Sequence, residues 1–472
     1  MSPVAAFPYV YFLGIGGIGM SALARWFQAN GHQVSGYDKT ATPLTEALTA
    51  EGIVIHYADA VEQIPAVVRE NLAQTLVVLT PAIPKDHREW AWLREQGYDI
   101  RKRSQVLGLL TAGHRTIAVA GTHGKTTTSS MVAHLLHHAG VPCSAFLGGI
   151  AVNLGSNLLL STEPDAPIVV EADEYDRSFL TLHPDIAIVT STDADHLDIY
   201  GDKESLVESF RQFVSQIRPG GTLILNHTAD QSVAAAVRPG VRVVHYGLSA
   251  AQGPELYADG ITARGHQFRF DLHSPQGTVA GLELAVPGFH NVENMLAAAC
   301  VAQLEQVGEE ALRGAVAAYR GVKRRFEFVL TTPDKVYVDD YAHHPREIEA
   351  FLRSLRALYL GKRLRVVFQP HLFTRTRDFA PGFAESLSLA DEVILLAIYP
   401  ARELPLEGVT SELILSQITA PKKSLQTRQQ VLEGAENEQD FDVLATVGAG
   451  DIDQLVPLLK NILNIRWNGV EA

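Results

Sequence analysis

Thr116-Ile-Ala-Val-Ala-Gly-Thr-His-Gly-Lys-Thr-Thr-Thr128 decides the fold. Five residues of strand character run into a glycine turn, and a threonine-rich helical pattern follows at once. The amides from Gly121 to Lys125 can close into an anion nest. The Lys125 ammonium can reach β- and γ-phosphates, and the Thr126 hydroxyl can ligate Mg²⁺. The loop is a shortened Walker-type motif. Gly121, Thr122, His123, Gly124, Lys125, Thr126 and Thr127 are therefore candidate contacts for ATP or GTP.

The same order of strand, turn and helix occurs twice more. Tyr9-Val-Tyr-Phe-Leu13 precedes Gly14-Ile-Gly-Gly-Ile-Gly19, and Lys335-Val-Tyr-Val-Asp-Asp340 precedes Tyr341-Ala-His-His-Pro345. Helical patterns follow, such as Met20 to Asn30 closed by Gly31 and Arg346 to Leu360 closed by Gly361. Short apolar runs alternating with helices predict parallel, doubly wound α/β sheets. The 472 residues are enough for three domains at roughly 150 residues each. Their expected bounds are 1–105, Rossmann-like; 106–325, a central nucleotide-binding domain; and 326–472, again Rossmann-like. Between about 258 and 287 the alternation in Phe268-Arg-Phe-Asp-Leu272 and Leu282-Glu-Leu-Ala-Val286 predicts a small antiparallel β addition to the central domain.

Gly14, Gly16 and Gly19, with Gly17 between them, fit G-x-G-x-x-G, and Asp38 ends the next strand. Such a turn brings helix N-terminal amides up to a diphosphate, but does not by itself separate NAD from other diphosphates. In the central domain, Ile168-Val-Val-Glu171 ends in Ala172-Asp-Glu-Tyr-Asp176, and Ile186-Ala-Ile-Val189 leads to Asp195-His196-Leu-Asp198. Strand ends in such sheets line the ligand crevice. Glu171 and His196 are thus expected beside Lys125, as ligands for a second Mg²⁺. Asp173, Glu174 and Asp176 read equally well as a solvated acidic loop, and His134, His137 and His138 as a helix surface. In the third domain polar residues gather after apolar strands: Gln369-Pro-His371, Thr374-Arg375, Tyr399 to Arg402, and Gly448-Ala-Gly-Asp451. Arg375 suits bidentate capture of a carboxylate. Lys323-Arg324-Arg325 places three cations at the domain junction.

The 39 basic and 53 acidic residues give a formal charge of −14, which excludes a general nucleic-acid binder. No apolar run reaches the ~20 residues of a membrane span. The first 19 residues have no basic start, so they do not read as a signal peptide. Two cysteines, Cys143 and Cys300, make neither a disulfide framework nor a zinc site, which fits a reducing cytoplasm.

Gly121-Thr-His-Gly-Lys-Thr-Thr-Thr128, Glu171-Ala-Asp-Glu174, Asp195-His-Leu-Asp198 and His290-Asn-x-x-Asn294-x-x-Ala-Ala298, in that order, resemble the Mur ligases. These enzymes use ATP to make amide bonds on peptidoglycan precursors in bacteria. Asp339-Asp-Tyr-Ala-His-His-Pro345, Gln369-Pro-His-x-x-Thr-Arg-Thr376 and Gly448-Ala-Gly-Asp-Ile452 are similar to the alanine-adding branch. The resemblance covers nearly the whole chain. It implies ATP and Mg²⁺ at two sites, with UDP-N-acetylmuramate and L-alanine as substrates. The protein would be a cytoplasmic monomer or homodimer serving cell-wall biogenesis.

It implies roles as well. Gly14, Gly16, Gly17, Gly19 and Asp38 would hold the UDP-sugar. Lys125 and Thr126 would hold ATP and one Mg²⁺, and Glu171 and His196 a second. Asn291 and Asn294 match positions on the adenine side, Arg325 the phosphates and Asp340 the ribose. Tyr341, His343, His371 and Arg375 match positions around the amino acid and the muramoyl carboxylate, with His343 or His371 as candidate base. Lys125, His196, Arg325, His343 and His371 form the catalytic set.

Two departures stand out. Sister ligases carry a lysine, used in carbamylated form, fourteen residues after the matching histidine; here Phe210 stands there. Leu372-Phe373 replaces a common Arg-Tyr. The near alternative is the ligase that recycles a tripeptide onto UDP-N-acetylmuramate, whose matching segment reads Glu-Pro-Arg-Ser-x-Thr. Folylpolyglutamate-type ligases would lack the first glycine loop and keep the lysine. An NAD-dependent dehydrogenase leaves Lys125 unused, and a nucleotide-binding switch needs neither the first glycine loop nor the third domain's His/Arg cluster.

Overall fold

The computed structural model describes residue 4 and residues 6–194, 197–401, 403–437 and 440–468. The first sheet holds β1 (Tyr9–Leu13), β2 (Gln33–Tyr37), β3 (Val54–His56), β4 (Thr75–Leu79) and β5 (Asp99–Lys102) in the order β3-β2-β1-β4-β5. Every neighbouring pair is parallel. Side chains alternate across the strand, so Val10 and Phe12 enter one core cluster while Tyr11 and Leu13 enter another on the opposite face. Both faces of β1 are therefore buried, as expected of a parallel sheet covered on two sides. The chain order reverses between β1 and β4, and the glycine loop leaves β1 there, at the position where such sheets bind ligands.

The second sheet has ten strands. They are β6 (Thr116–Ala120), β7 (Ser144–Ala151), β8 (Ser156–Leu159), β9 (Ile168–Glu171), β10 (Ile186–Val189), β11 (Thr222–Asn226), β12 (Arg242–Gly247), β13 (Leu256–Arg264), β14 (Gln267–Ser274) and β15 (Gly277–Leu284). Their order is β15-β14-β13-β12-β11-β10-β6-β9-β7-β8. β6 pairs parallel to both β9 and β10, so the nucleotide loop emerges between their carboxyl ends. β7 and β8 form an antiparallel pair at one edge, and β13 to β15 supply the β addition at the other.

The third sheet joins β16 (Glu327–Thr331), β17 (Val336–Asp340), β18 (Leu364–Phe368), β19 (Glu392–Leu395), β20 (Lys422–Leu425) and β21 (Val443–Val447). Its order is β16-β17-β21-β18-β19-β20, with β16 antiparallel to β17 and the other pairs parallel. The ends of β17, β21 and β18 are neighbours at its switch point.

The chain divides into two compact units. One takes the described residues up to Asp259 with Asp271–Leu282 and Glu293–Tyr319; the other takes Gly260–Phe270, Glu283–Val292 and the described residues from Arg320 on. Within the first unit one core runs from Val10 and Phe12 through Ala118 and Val170 to Phe213. Asn157 on β8, fully buried, ties the helix Ile18–Ala29 to the middle sheet. It donates to Ser21 Oγ at 3.1 Å and accepts from Arg25 Nη1 at 2.8 Å. Among the described residues no helix is long and apolar enough to cross a membrane.

Candidate active site

The loop after β6 is held in shape by its own glycines and by the segment after β10. Gly121 sits at φ +134°, and a Cβ there would stand 2.0 Å from Thr190 Oγ1. Gly124, at φ +80°, caps the helix Lys125–His138. Both positions need glycine for the dihedral, and at both a Cβ would also crowd a neighbour. The segment after β10 clamps the loop from the side. Ser191 Oγ accepts from His123 N at 2.8 Å and pairs with Thr122 Oγ1 at 2.9 Å, while Thr122 Oγ1 accepts from Asp193 N at 3.1 Å. Asn294 lies against Gly124, its Oδ1 2.8 Å from where a Cβ would be.

Lys125 donates to Gly121 O at 2.7 Å and to Glu174 at 2.8 Å. Burial alone would lower its pKa, but Glu174, Asp173 and Glu171 outweigh it and hold the ammonium above its ordinary range. Lys125 is therefore charged at neutral pH. Thr126 Oγ1 donates to Glu171 Oε2 at 2.8 Å, and Glu171 lies so close to Gly148 that a Cβ there would meet it at 2.1 Å. No three or more metal-ligating side chains converge among the described residues. Mg²⁺ commonly takes one or two protein oxygens and fills its shell with phosphate and water, and the Thr126 hydroxyl and the Glu171 carboxylate have the donor chemistry that such an ion takes. His196 and Asp195 lie outside the described residues.

The first glycine loop is arranged differently. Gly14 has φ +87°, and a Cβ there would lie 2.4 Å from Thr80 Cγ2. Gly16 N donates to Asp38 Oδ2 at 2.7 Å, and a Cβ on Gly16 would sit 2.8 Å from that oxygen. Gly17 caps the helix Ile18–Ala29, which has no side-chain cap and no acidic residue in its first turn. Gly17 and Gly19 open onto a cavity of about 260 Å³ that Glu171 and Asp173 also line. The first glycine loop and the carboxylate partner of Thr126 thus face one space.

In the second unit Asp340 ends β17. Its Oδ2 accepts from Phe326 N and its Oδ1 from Ala342 N, both at 2.7 Å. Burial pushes its pKa up to about 6, against the pull of Arg325 and the two amides. Arg325 stacks over the Tyr341 ring with Cζ 4.9 Å from the centroid. Arg324 lies over the same ring, with Cζ 5.2 Å from the centroid, and is anchored 3.1 Å from Asp339 Oδ2 and by donating to Gly448 O at 2.7 Å. Arg324 and Phe326 both lie at left-handed φ, 61° and 47°. Two such residues around Arg325 make a turn that only the surrounding contacts maintain.

Tyr341, His343 and His371 come together, with ring centroids 5.5 Å apart for the first pair and 6.2 Å for the second. His343 Nδ1 lies 3.1 Å from Tyr341 O and 3.3 Å from Glu347 Oε2. His371 stacks on Tyr399 at 5.7 Å and 20°. Leu372 follows at φ +69°, an unusual angle for leucine, with its N–H donated to Tyr399 O at 2.9 Å. Arg375 is buried in the first turn of the helix Phe373–Leu387. Asn291 donates to Pro287 O at 2.8 Å. Beside it, burial brings the His290 pKa down to about 4, so that imidazole is neutral. Gln369 serves structure, bridging Asp451 Oδ1 at 2.8 Å and Ile452 N at 2.9 Å.

Some readings from sequence do not hold. Glu174 is fully buried on Lys125 and belongs to no solvated loop. His134 is not on a helix surface; its Nε2 donates to Ala315 O at 2.9 Å beneath a second helix, Glu309–Ala318. Of the three junction cations, Arg324 is taken up by Asp339 and Gly448. Phe210, which stands where sister ligases carry the lysine, is no failed reading: it is core, edge-on to Phe179 at 5.4 Å. Sequence reasoning missed Thr190 and Ser191, which shape the nucleotide loop, and Arg103, which packs against Gly19.

Three family models match along the chain. They are the Mur ligase family catalytic domain at residues 9–115, the Mur ligase middle domain at 119–302 and the Mur ligase glutamate ligase domain at 324–452. A relative from Phocaeicola vulgatus, named UDP-N-acetylmuramate–L-alanine ligase, is 49% identical over 456 residues, covering 96% of this chain and 98% of its own. One of the same name from Cytophaga hutchinsonii is 45% identical over 464 residues, 97% of each chain. Among solved structures, UDP-N-acetylmuramate-alanine ligase from Thermotoga maritima superposes with a TM-score of 0.80 at 26% identity, over 98% of this chain and 99% of that one. A murein peptide ligase from Psychrobacter arcticus gives 0.70 at 25% identity, over 96% and 99%. A strand order with a glycine loop at each of two switch points, a lysine–glutamate pair in the second loop, and this agreement over the full length place the chain in the Mur ligase family.

Proposed function

We propose that this chain is an ATP-dependent ligase that joins L-alanine to the carboxylate of UDP-N-acetylmuramate, the first peptide step of peptidoglycan precursor synthesis. The observation that carries the reading is the shared cavity, in which Gly17 and Gly19 face Glu171 and Asp173. A diphosphate on the first loop would put its sugar on the side where Thr126 and Glu171 meet. A carboxylate has to be activated before an amine can attack it. The muramoyl carboxylate oxygen attacks the γ-phosphorus, the bond to ADP breaks, and an acyl phosphate forms. The alanine amine then attacks the acyl carbon, and phosphate leaves from the tetrahedral intermediate.

Charge on the transferred phosphoryl group is the main electrostatic load. Lys125 meets it from the loop, and Arg325 is assigned to the same phosphates. Asn291 and Asn294 are assigned to adenine and Asp340 to ribose. Thr126 would hold one Mg²⁺, and Glu171 with His196 a second; bound Mg²⁺ would supply charge neutralisation on the phosphate oxygens. The amine gives up a proton before it attacks, and His343 or His371 is the acceptor. Glu347, 3.3 Å from His343, would stabilise the resulting imidazolium. Arg375 is assigned to the alanine carboxylate.

Release of phosphate, followed with UDP-N-acetylmuramate and a panel of amino acids, tests the reading. L-alanine should support turnover far better than the tripeptide or any added nicotinamide nucleotide. Preference for the tripeptide would overturn it in favour of the recycling ligase.

A further inference from the structure

The cavity beside the first glycine loop contains a cation that no sequence motif marks. Arg103 opens the helix Arg103–Thr111 just beyond β5, at the carboxyl edge of the first sheet where β1 and β4 also end. Its guanidinium lies across Gly19: a Cβ there would meet Nη1 at 2.7 Å and Cζ at 3.2 Å. Gly19 is not at a left-handed φ. The third glycine therefore leaves room for the side chain that crosses it and does not serve a special dihedral. On its far side the guanidinium reaches Asp173 Oδ2 at 3.8 Å, a distance that leaves the ion pair long and its donors available to a closer acceptor. Both side chains keep partial exposure, 27% and 37%, toward the cavity they line.

Among the described residues that line that cavity, no other cation balances a diphosphate. Its other charged lining groups, Glu171 and Asp173, are both acids, and the glycine loop offers only amides. An anion placed at the uncapped start of the helix Ile18–Ala29 meets Arg103 as the cation beside it. We infer that Arg103 is the positioning residue for the sugar-nucleotide diphosphate, exchanging its long contact with Asp173 for paired hydrogen bonds to phosphate oxygens. The inference rests on the ligase reading above for the identity of the sugar nucleotide. It adds a link between substrates: Asp173 stands next to Glu174, the partner of Lys125, so moving Arg103 alters the charge around the nucleotide loop.

Calorimetric binding to the full-length protein tests this with three probes: UDP-N-acetylmuramate, UDP and uridine. Charge-assisted hydrogen bonds support an expectation of roughly 10- to 100-fold weaker binding of the first two in Arg103→Gln, with uridine unchanged. In turnover the KM for UDP-N-acetylmuramate should rise by a similar factor while the KM for ATP stays within about twofold. Arg103→Lys should recover part of the loss, because charge remains while the two-pronged geometry does not. Equal affinity of wild type and Arg103→Gln for both diphosphates would overturn the inference. Loss for UDP-N-acetylmuramate with UDP unchanged would also overturn it, moving the cation to the muramoyl carboxylate. If the wild-type chain bound none of the three probes, the ligase reading itself would fall.

Discussion

The two glycine loops occupy equivalent places, each leaving a strand at a switch point and entering a helix, yet charge is arranged differently around them. The second loop brings its own cation: Lys125 is buried against Glu174, Thr126 is bonded to Glu171, and Thr190 and Ser191 brace the backbone. The first loop has amides and no cation within it; Asp38 takes one of those amides and Arg103 lies over another position from outside. A loop that stabilises a phosphoryl group in transit needs fixed charge from the start. A loop that only anchors a diphosphate can rely on backbone dipoles and a neighbouring arginine. The same glycine signature thus stands over two electrostatic designs.

The strongest way to break this contrast is at Lys125. Lys125→Ala should reduce ATP-dependent phosphate release by on the order of 10³-fold or more, while calorimetric binding of UDP-N-acetylmuramate changes less than about threefold. The substitution also leaves Glu174 buried without its partner, which costs roughly 3–5 kcal/mol. The double variant Lys125→Met with Glu174→Gln removes that charge, so it should regain thermal stability and remain inactive. Recovery of turnover in the double variant would show that the lysine serves folding alone.

Next come the glycines. Gly121→Ala meets Thr190 Oγ1 at 2.0 Å and backbone atoms at 2.9 and 3.0 Å, at φ +134°. Neither the dihedral nor the neighbours can yield cheaply, and a loss of roughly 2–4 kcal/mol together with ATP binding is expected. Gly19→Ala meets only the far end of Arg103, which can swing away. That variant should fold with a melting temperature near wild type and lose affinity for UDP-N-acetylmuramate by about tenfold. Equal stability losses at the two sites, read from thermal melts, would erase the distinction between a braced loop and an open one.

Glu171→Gln sharpens the comparison at the shared cavity. It keeps an acceptor for Thr126 and removes the charge, so the Mg²⁺ midpoint for phosphate release should rise about tenfold with the KM for UDP-N-acetylmuramate little changed. An unchanged Mg²⁺ titration would remove Glu171 from metal binding.

Much of this contrast was legible in the sequence, and the reason lies in its range. Strand, turn and helix within Thr116–Thr128 depend on residues a few positions apart, so glycine and threonine chemistry announce them. The ends of β9 and β21 coincide with the apolar runs at Ile168–Glu171 and Val443–Val447, because strands buried on both faces read as continuous apolar text. The partners of Lys125 were not legible. Asp173 and Glu174 are adjacent acids, and only pairing of β6 with β9 decides that Glu174 turns inward to the lysine. His134 was misread because helical spacing does not say that Glu309–Ala318 will cover that face. Arg103 belongs to no motif and acquires meaning only when Gly19 is seen beneath it.

A smaller effect separates the buried carboxylates of the two modules. Glu174 has its cation; Glu89, equally buried in the first module, has no lysine or arginine paired with it among the described residues. It accepts from Tyr11 at 2.6 Å and from Ala60 N at 3.1 Å, with His56 Nε2 at 3.6 Å. Burial pushes its pKa up to about 7, with the Tyr11 and Ala60 bonds pulling the other way and Asp59 adding to the rise; burial also lowers that of His56. The folded state therefore holds a proton on Glu89 over a range where the unfolded chain has released it. Stability from this group is fully present below the ordinary pKa near 4.5, falls as pH rises toward 7, and is flat above that. The loss is on the order of 1–3 kcal/mol. Glu89→Gln keeps the shape and carries no titrating proton, so its melting temperature should vary less than wild type between pH 5 and 8 and exceed it at pH 8. Parallel melting curves across that range would mean that Glu89 is already ionised in the fold, and that the first module, like the second, has found a cation for its buried acid.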